Sequence, residues 1–376
     1  MRSMGMNKYS FVIPTYNCRK LLGNTLKALD YIVMDNSIEY EVIVVDDGSN
    51  DGTGEYIGDI NVNYTLKYIY ISRDCNSSRA RARNEGIKAA NGNIIVFIDA
   101  DIIVRPGFLL ELDKFFSYSD EMAVIGMRRL INENIDDSMV EDKSVFNESC
   151  LEKLKMGMDF RFDIFEQLSY NAGGMKAPFL YALTCNLAVP RKWIDKTTGF
   201  DEELIKWGIE DIEFVYRMYC KGMKIAINSR DYVLHQFHGV EQTDVINKKY
   251  ENDIKYNTDI FVKKHPSFLG LPDERVYQLF RSINTHYKDI ENDNTNESVI
   301  IDITEKDEIE EVKRKVETIG RNKKINIIIN DYVRDSDFHI WVQLVENICA
   351  KIKYYPVKRS HVGMSPTFGA KGLRNF

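Results

Sequence analysis

The sequence predicts an α/β protein whose first hundred residues form a parallel sheet with helices on both faces. Apolar runs recur at "YSFVIPTY" (9–16), "EYEVIVVDD" (39–47), "LKYIYISRD" (66–74) and "NIIVFIDAD" (93–101). Helical segments lie between them. "KLLGNTLKALDYI" (20–32) lines up Leu21, Leu22, Leu26 and Leu29, and "SSRARARNEGIKAANG" (77–92) opens on a serine N-cap. The strands are apolar throughout instead of alternating, as expected for strands buried on both faces. The pattern is that of a nucleotide-binding half of Rossmann type, without the GxGxxG loop. In such sheets ligands bind beyond the C-terminal strand ends. "PTY" (14–16), "DDGS" (46–49) and "DAD" (99–101) all fall there.

The totals narrow the class. At 376 residues, two domains are expected. A hydrophobic fraction of 44% and a charged fraction of 28% are ordinary for a globular protein. A net charge of −7 argues against bulk electrostatic binding of nucleic acid. No apolar run is long enough to span a membrane, and the N-terminus carries no signal-peptide pattern. Six cysteines, scattered without a CxxC, fit a reducing compartment, so a cytoplasmic protein is expected. Peripheral membrane association and a homo-oligomer remain compatible with this composition.

Beyond residue 120 the pattern is mixed. "MAVIGMRRLI" (122–131) and "LYALTCNLAVP" (180–190) read as strands around a helical stretch near 145–169. A loop from Gly199 leads to a helix starting near Glu210, and 240–265 reads as a long polar helix ended by "HP". A helix at roughly 273–290 runs into the polar stretch "ENDNTNES" (291–298). Three parts follow: 1–265, a helix and polar linker at 266–297, and a small α/β unit at 298–376. That unit reads strand, helix, strand, helix, and ends in a basic tail from Lys351. It reads either as a packing or dimerising appendage or as a module that recruits an acceptor.

Several residues carry chemistry. Asp99 and Asp101 close a buried strand, where two like charges repel unless something joins them. A divalent cation with phosphate oxygens would do so, and Mg²⁺ and Mn²⁺ favour such ligands; the bland alternative is a solvated turn. "VVDDGSNDGT" (44–53) is either turn chemistry or a carboxylate, Asp47, that accepts from the N–H of a uracil ring. Arg83, in "ARN" (82–84), is a solvated helix position or reaches a base or diphosphate. In "WGIED" (207–211) Trp207 anchors the fold or presents a flat face to a sugar ring. There the acids complement the helix dipole, or Asp211 serves as a general base. "LHQFH" (234–238) places His235 and His238, two of only six histidines, after a strand.

Taken in order, these segments resemble family 2 glycosyltransferases with the GT-A fold. The likeness covers about 1–265 through "FVIPTYN", "VVDDGSNDGT", "ARARNEGIKAANG", "IVFIDADIIVRPGFL", "GFDEELIKWGIEDIEFVYRMYCKG" and "LHQ". The later segments are most similar to bacterial chondroitin-polymerase catalytic domains, and also to galactosyltransferase and polypeptide N-acetylgalactosaminyltransferase domains. The resemblance implies a uridine site lined by Pro14, Tyr16, Asp47 and Arg83. It implies Asp99 beside ribose and metal, Asp101 as metal ligand and His235 as a further ligand of Mn²⁺ or Mg²⁺. Trp207, Glu210 and Asp211 would face the acceptor, with Asp211 as base. Ile209 departs from the second glycine usual in these relatives, so the acceptor is not carried over.

The expected function is metal-dependent, inverting transfer of a hexosyl group from a nucleotide-diphosphate sugar, UDP-linked by expectation. The acceptor is a glycan, a lipid-linked sugar, a peptide or a small molecule, and a role in polysaccharide biosynthesis fits. Two other classes stay open at this point: a sugar-nucleotide nucleotidyltransferase and a non-catalytic nucleotide-sugar-binding protein.

Overall fold

The computed structural model describes residues 7–32, 38–168, 170–239, 250–283, 297–322, 325–345 and 352–356. The first strands follow the predicted apolar runs: β1 Lys8–Thr15, β2 Glu39–Asp46, β3 Thr65–Tyr70 and β4 Ile94–Phe97. They pair in parallel in the order β3-β2-β1-β4. Beyond β4 the sheet becomes mixed. It continues through β5 Ile102–Ile103, β6 Met122–Leu130, β7 Gly157–Met158, β8 Leu187–Pro190 and β9 Lys224–His235. β8 is antiparallel to both β4 and β6, β9 runs parallel to β6, and the short β5 pairs antiparallel with the end of β9.

Alternate residues of the central strands feed two cores. Val12, Ile43, Val45, Ile95 and Phe97 pack on one face, under the helices Arg79–Ala89 and Glu210–Cys220. Phe11, Ile13, Val42, Val44 and Val96 pack on the other, under Arg19–Leu29 and Phe108–Tyr118. The helix Arg79–Ala89 starts at the predicted cap, where Ser78 Oγ accepts from the Arg81 N–H. It lies so close to the sheet that a Cβ on Gly86 would stand 2.4 Å from Val12 Cγ1.

Three sequence expectations need correction. The helical stretch near 145–169 is broken into Glu148–Lys153 and Phe162–Gln167. Lys155 takes a left-handed φ of 46°, and Gly157–Met158 adds a two-residue strand between them. Of 180–190, only Leu187–Pro190 is strand, because the chain turns in short 3₁₀ segments at Pro178–Tyr181 and Thr184–Asn186. In the C-terminal unit, part of the expected basic tail is a third strand. There β10 Glu297–Ile303, β11 Ile325–Asp331 and β12 Ile352–Pro356 form a parallel sheet with the helices Ile309–Gly320 and Ser336–Leu344. The helices expected at 240–265 and 273–290 are described as Glu251–Lys264 and Asp273–Arg281. Residues 240–249 and 284–290, the linker up to 296 and the tail after 356 lie outside the described residues.

The C-terminal unit is packed on the main sheet. Gln343, on the helix Ser336–Leu344, is almost fully buried. Its amide accepts from Ile227 N–H at 2.7 Å and donates to Ile227 O at 3.1 Å, capping the outer edge of β9 as a further strand would. It also accepts from Ala172 N–H, while Asn171 Nδ2 donates to Ile352 O. Beside this contact Phe115 meets the His339 ring edge-on at 6.2 Å. Burial, with the nearby Arg230 charge, pushes the His339 imidazole down to about 3, so it stays neutral.

Candidate active site

The predicted residues gather along the C-terminal ends of β1, β2 and β4. β1 carries Pro14 and leads to the exposed Tyr16, over whose ring the Arg73 guanidinium lies at 3.8 Å. Arg73 also donates to Asp47 Oδ2 at 2.7 Å, just past β2. Asp47 Oδ1 is buried with no partner within hydrogen-bond distance, and burial raises this carboxyl above its ordinary range despite the nearby Ser77 hydroxyl and the arginine. A buried acceptor left open beside a stacked cation and a tyrosine suits a flat ring with an N–H. The neighbouring Asp46 is fully used by the Ser49 N–H and the Tyr68 hydroxyl.

The loop after β4 holds Asp99 and Asp101. Gln236 N–H donates to Asp101 O, and the Gln236 amide bridges Leu21 O and Asn24, so the loop is fixed to β9 and the helix Arg19–Leu29. The pairing of Ile102 with His235 then sets the histidine beside the aspartate, with Nε2 3.6 Å from Asp101 Oδ2. The ligating atoms of Asp101, His235 and His238 all lie within 4.8 Å of one another. Asp101 Oδ1 is buried without a partner. One carboxylate and two imidazoles, with an acceptor left open, fit a divalent ion such as Mn²⁺. Asp99 stands apart from that trio and faces Arg83 Nη2 at 3.3 Å.

Arg83 is completely enclosed. It spans Asp99 and, at 3.1 Å, Glu210 Oε1, and so does not extend into open solvent. Glu210 and Asp211 begin the helix Glu210–Cys220, whose positive end favours acids. Asp211 accepts from Ile212 N–H at 2.9 Å and Thr184 N–H at 3.4 Å. Its carboxyl is raised well above the ordinary range by burial first and by the Glu210 charge second, against the pull of Arg83. The turn before this helix has Gly208 at φ 89° and Ile209 at φ 77°, both left-handed. A β-branched residue is costly there, about 1–2 kcal/mol, which explains why a glycine is the easier choice. Asn257 holds the turn by donating to Lys206 O and Gly208 O. Trp207 is half-buried, and one of its faces is covered by Tyr250, stacked at 4.6 Å.

Sequence reasoning missed His238 as a member of the cluster and Arg73 as the partner of Asp47. The second histidine of "HQFH" was the available signal for the first. Arg73 offered none, since its pairing depends on β2 and β3 lying side by side.

Comparison with known proteins agrees with this geometry. The family described as glycosyl transferase family 2 matches residues 10–179, and the N-terminal domain of galactosyltransferase matches 169–248. Residues 10–179 are a family 2 glycosyltransferase domain. The chain is 31% identical over 226 residues to chondroitin synthase of Escherichia coli, covering 57% of this chain and 32% of that protein. It is 27% identical over 275 residues to validoxylamine A glucosyltransferase of Streptomyces hygroscopicus subsp. jinggangensis, covering 69% and 61%. It therefore spans about a third of the first relative and three-fifths of the second. S. aureus TarS 1–349 superimposes with a TM-score of 0.50 at 19% identity, over 75% of this chain and 72% of that one, so the fold is GT-A. No described helix is long and apolar enough to cross a membrane.

Proposed function

We propose that this glycosyltransferase moves a hexosyl group from a UDP-sugar to an acceptor hydroxyl, with a divalent cation and with inversion at the anomeric carbon. The observation that carries the reading is the Asp101–His235–His238 cluster together with an Asp211 carboxylate of raised proton affinity, the two parts joined by the Asp99–Arg83–Glu210 ion pairs. Asp101, His235 and His238 would hold the cation, with Asp99 nearby; when bound, it supplies positive charge for the donor's diphosphate. Asp47, Arg73, Tyr16 and Pro14 suit the uracil ring.

Asp211 takes the proton of the acceptor hydroxyl as that oxygen attacks the anomeric carbon. The bond from that carbon to the phosphate oxygen breaks, its electron pair leaves with UDP, and attack from the opposite face inverts the centre. Arg83 keeps Glu210 and Asp99 paired and so leaves Asp211 as the carboxylate with the raised proton affinity. The relatives' names support glycosyl transfer to a saccharide or a saccharide-like acceptor.

The test is a panel of nucleotide sugars with Mn²⁺, read by nucleotide release. UDP release from a UDP-sugar supports the reading. Pyrophosphate release from UTP and a sugar phosphate would make the protein a nucleotidyltransferase instead.

A further inference from the structure

A buried charge cluster behind the acids is not used by this mechanism. Asp159 and Arg161 are fully enclosed, and Arg161 takes both oxygens of Asp159 through Nε at 3.1 and 3.0 Å and through Nη2 at 2.6 Å. Its remaining donors go to Tyr181 O and Gly126 O. Arg128, on β6, shares the same aspartate through a single 3.2 Å bond from Nε and turns Nη1 to the Cys185 thiol at 3.7 Å. Two guanidinium groups thus share one carboxylate, which leaves one positive charge in excess. Burial alone would raise the Asp159 carboxyl, yet the two arginines hold it at about 2, so the excess persists across the physiological range.

That excess lies on the wall of the site. Arg128 pairs with Val233, two residues before the pairing of Leu130 with His235. Its thiol neighbour Cys185 follows Thr184, whose N–H reaches Asp211. Asp99 and Asp101 are close enough for their charges to stabilise the Arg128 cation. Arg83 is held between Glu210 and Asp99 with its side chain only 2% exposed, whereas Arg128 keeps 19% of its side chain open.

We propose that Arg128 is the protein's own cation for the phosphate bonded to the transferred sugar, and that it stabilises the negative charge collecting there as the bond to the anomeric carbon breaks. The proposal rests on the UDP-sugar reading above. No proton moves in this step, since Arg128 stays charged and the departing oxygen carries the electron pair. A fixed cation aimed at developing charge inside a partly dry site is the arrangement from which rate enhancement chiefly comes.

The experiment compares wild type with Arg128→Met and Arg128→Lys. Arg161 retains Asp159 in both variants, so the buried carboxylate stays paired. UDP binding is read by calorimetry and turnover by UDP release, both with Mn²⁺ present, and uridine binding by saturation-transfer NMR with diamagnetic Mg²⁺ in its place. The expected result for Arg128→Met is UDP binding weakened about tenfold or more. Uridine binding is unchanged and kcat falls about a hundredfold, with Arg128→Lys recovering part of both losses. Unchanged UDP affinity and kcat would overturn the proposal. So would a parallel loss of UDP and uridine binding with a lowered Tm, which would make Arg128 a structural partner of Asp159. Wild-type protein that binds neither UDP nor uridine would overturn the donor reading, and this proposal with it.

Discussion

Replacing Gln343 by alanine tests how the C-terminal unit is held. Its amide satisfies both backbone groups of Ile227 on the open edge of β9, at 2.7 and 3.1 Å, and lies almost wholly out of solvent. A buried backbone donor or acceptor left without a partner costs about 1–3 kcal/mol. Two such groups at Ile227 and a third at Ala172 N–H, with some relief from water entering the vacated space, put the loss at roughly 2–5 kcal/mol. Gln343→Glu keeps the acceptor for Ile227 N–H but buries a carboxylate and turns one of its oxygens against Ile227 O, so near neutral pH it should cost at least as much as alanine. Urea denaturation reads the loss, and hydrogen exchange at the Ile227 amide locates it. A loss below roughly 0.5 kcal/mol with Ile227 still protected would show that the edge is satisfied some other way and that the docking argument fails.

Four further outcomes are expected. Asp211→Asn should lower transfer by about a thousandfold or more while leaving UDP affinity nearly intact; near-normal turnover would exclude it as the base. Because the Asp211 carboxyl is raised, activity should climb with pH through a limb above the ordinary carboxylate range. Its contribution to stability runs the other way, falling as pH rises from the unfolded carboxylate value through the raised one; pH–rate profiles and melts check both. His235→Ala and Asp101→Ala should each weaken Mn²⁺ binding by about tenfold or more in titration calorimetry, and wild-type affinity retained in both would remove the cluster as the metal site. Ile209→Gly should release about 1–2 kcal/mol of backbone strain. It also loses a buried side chain, worth roughly 2–5 kcal/mol, so a net destabilisation centred on about 2 kcal/mol and no larger than about 4 kcal/mol should appear in urea melts.

The sheet was legible because its strands are apolar over their whole length, and a strand end followed by acids marks the ligand edge without knowledge of the partner strands. The GFDEE–WGIED segment was legible as motif, and its left-handed Ile209 was visible as the residue that breaks the glycine pattern. What stayed hidden depends on which strands become neighbours. The Arg73 contact with Asp47 needs β2 beside β3, and the trio at Asp101 needs β5 against the end of β9. The partners of Arg83 stayed hidden for the same reason. An arginine on a polar helix face gives no sign of its counter-charge until Glu210, 127 positions later, is brought against it. Strand β12 escaped because "KIKYYP" alternates lysine with apolar residues, the pattern of a strand with one open face, and it adjoined a basic run.

The enclosed guanidinium of Arg83 has a bearing on how the chain can be divided. Its two counter-charges arrive from opposite sides of residue 179, where the family 2 match ends and the galactosyltransferase-type match has already begun. A fragment cut at that border would retain β1–β7 and the Asp99–Asp101 loop yet strand a buried cation with half its neutralising partners missing. The two matched segments are therefore joined electrostatically through one guanidinium, and separating them leaves that cation half neutralised.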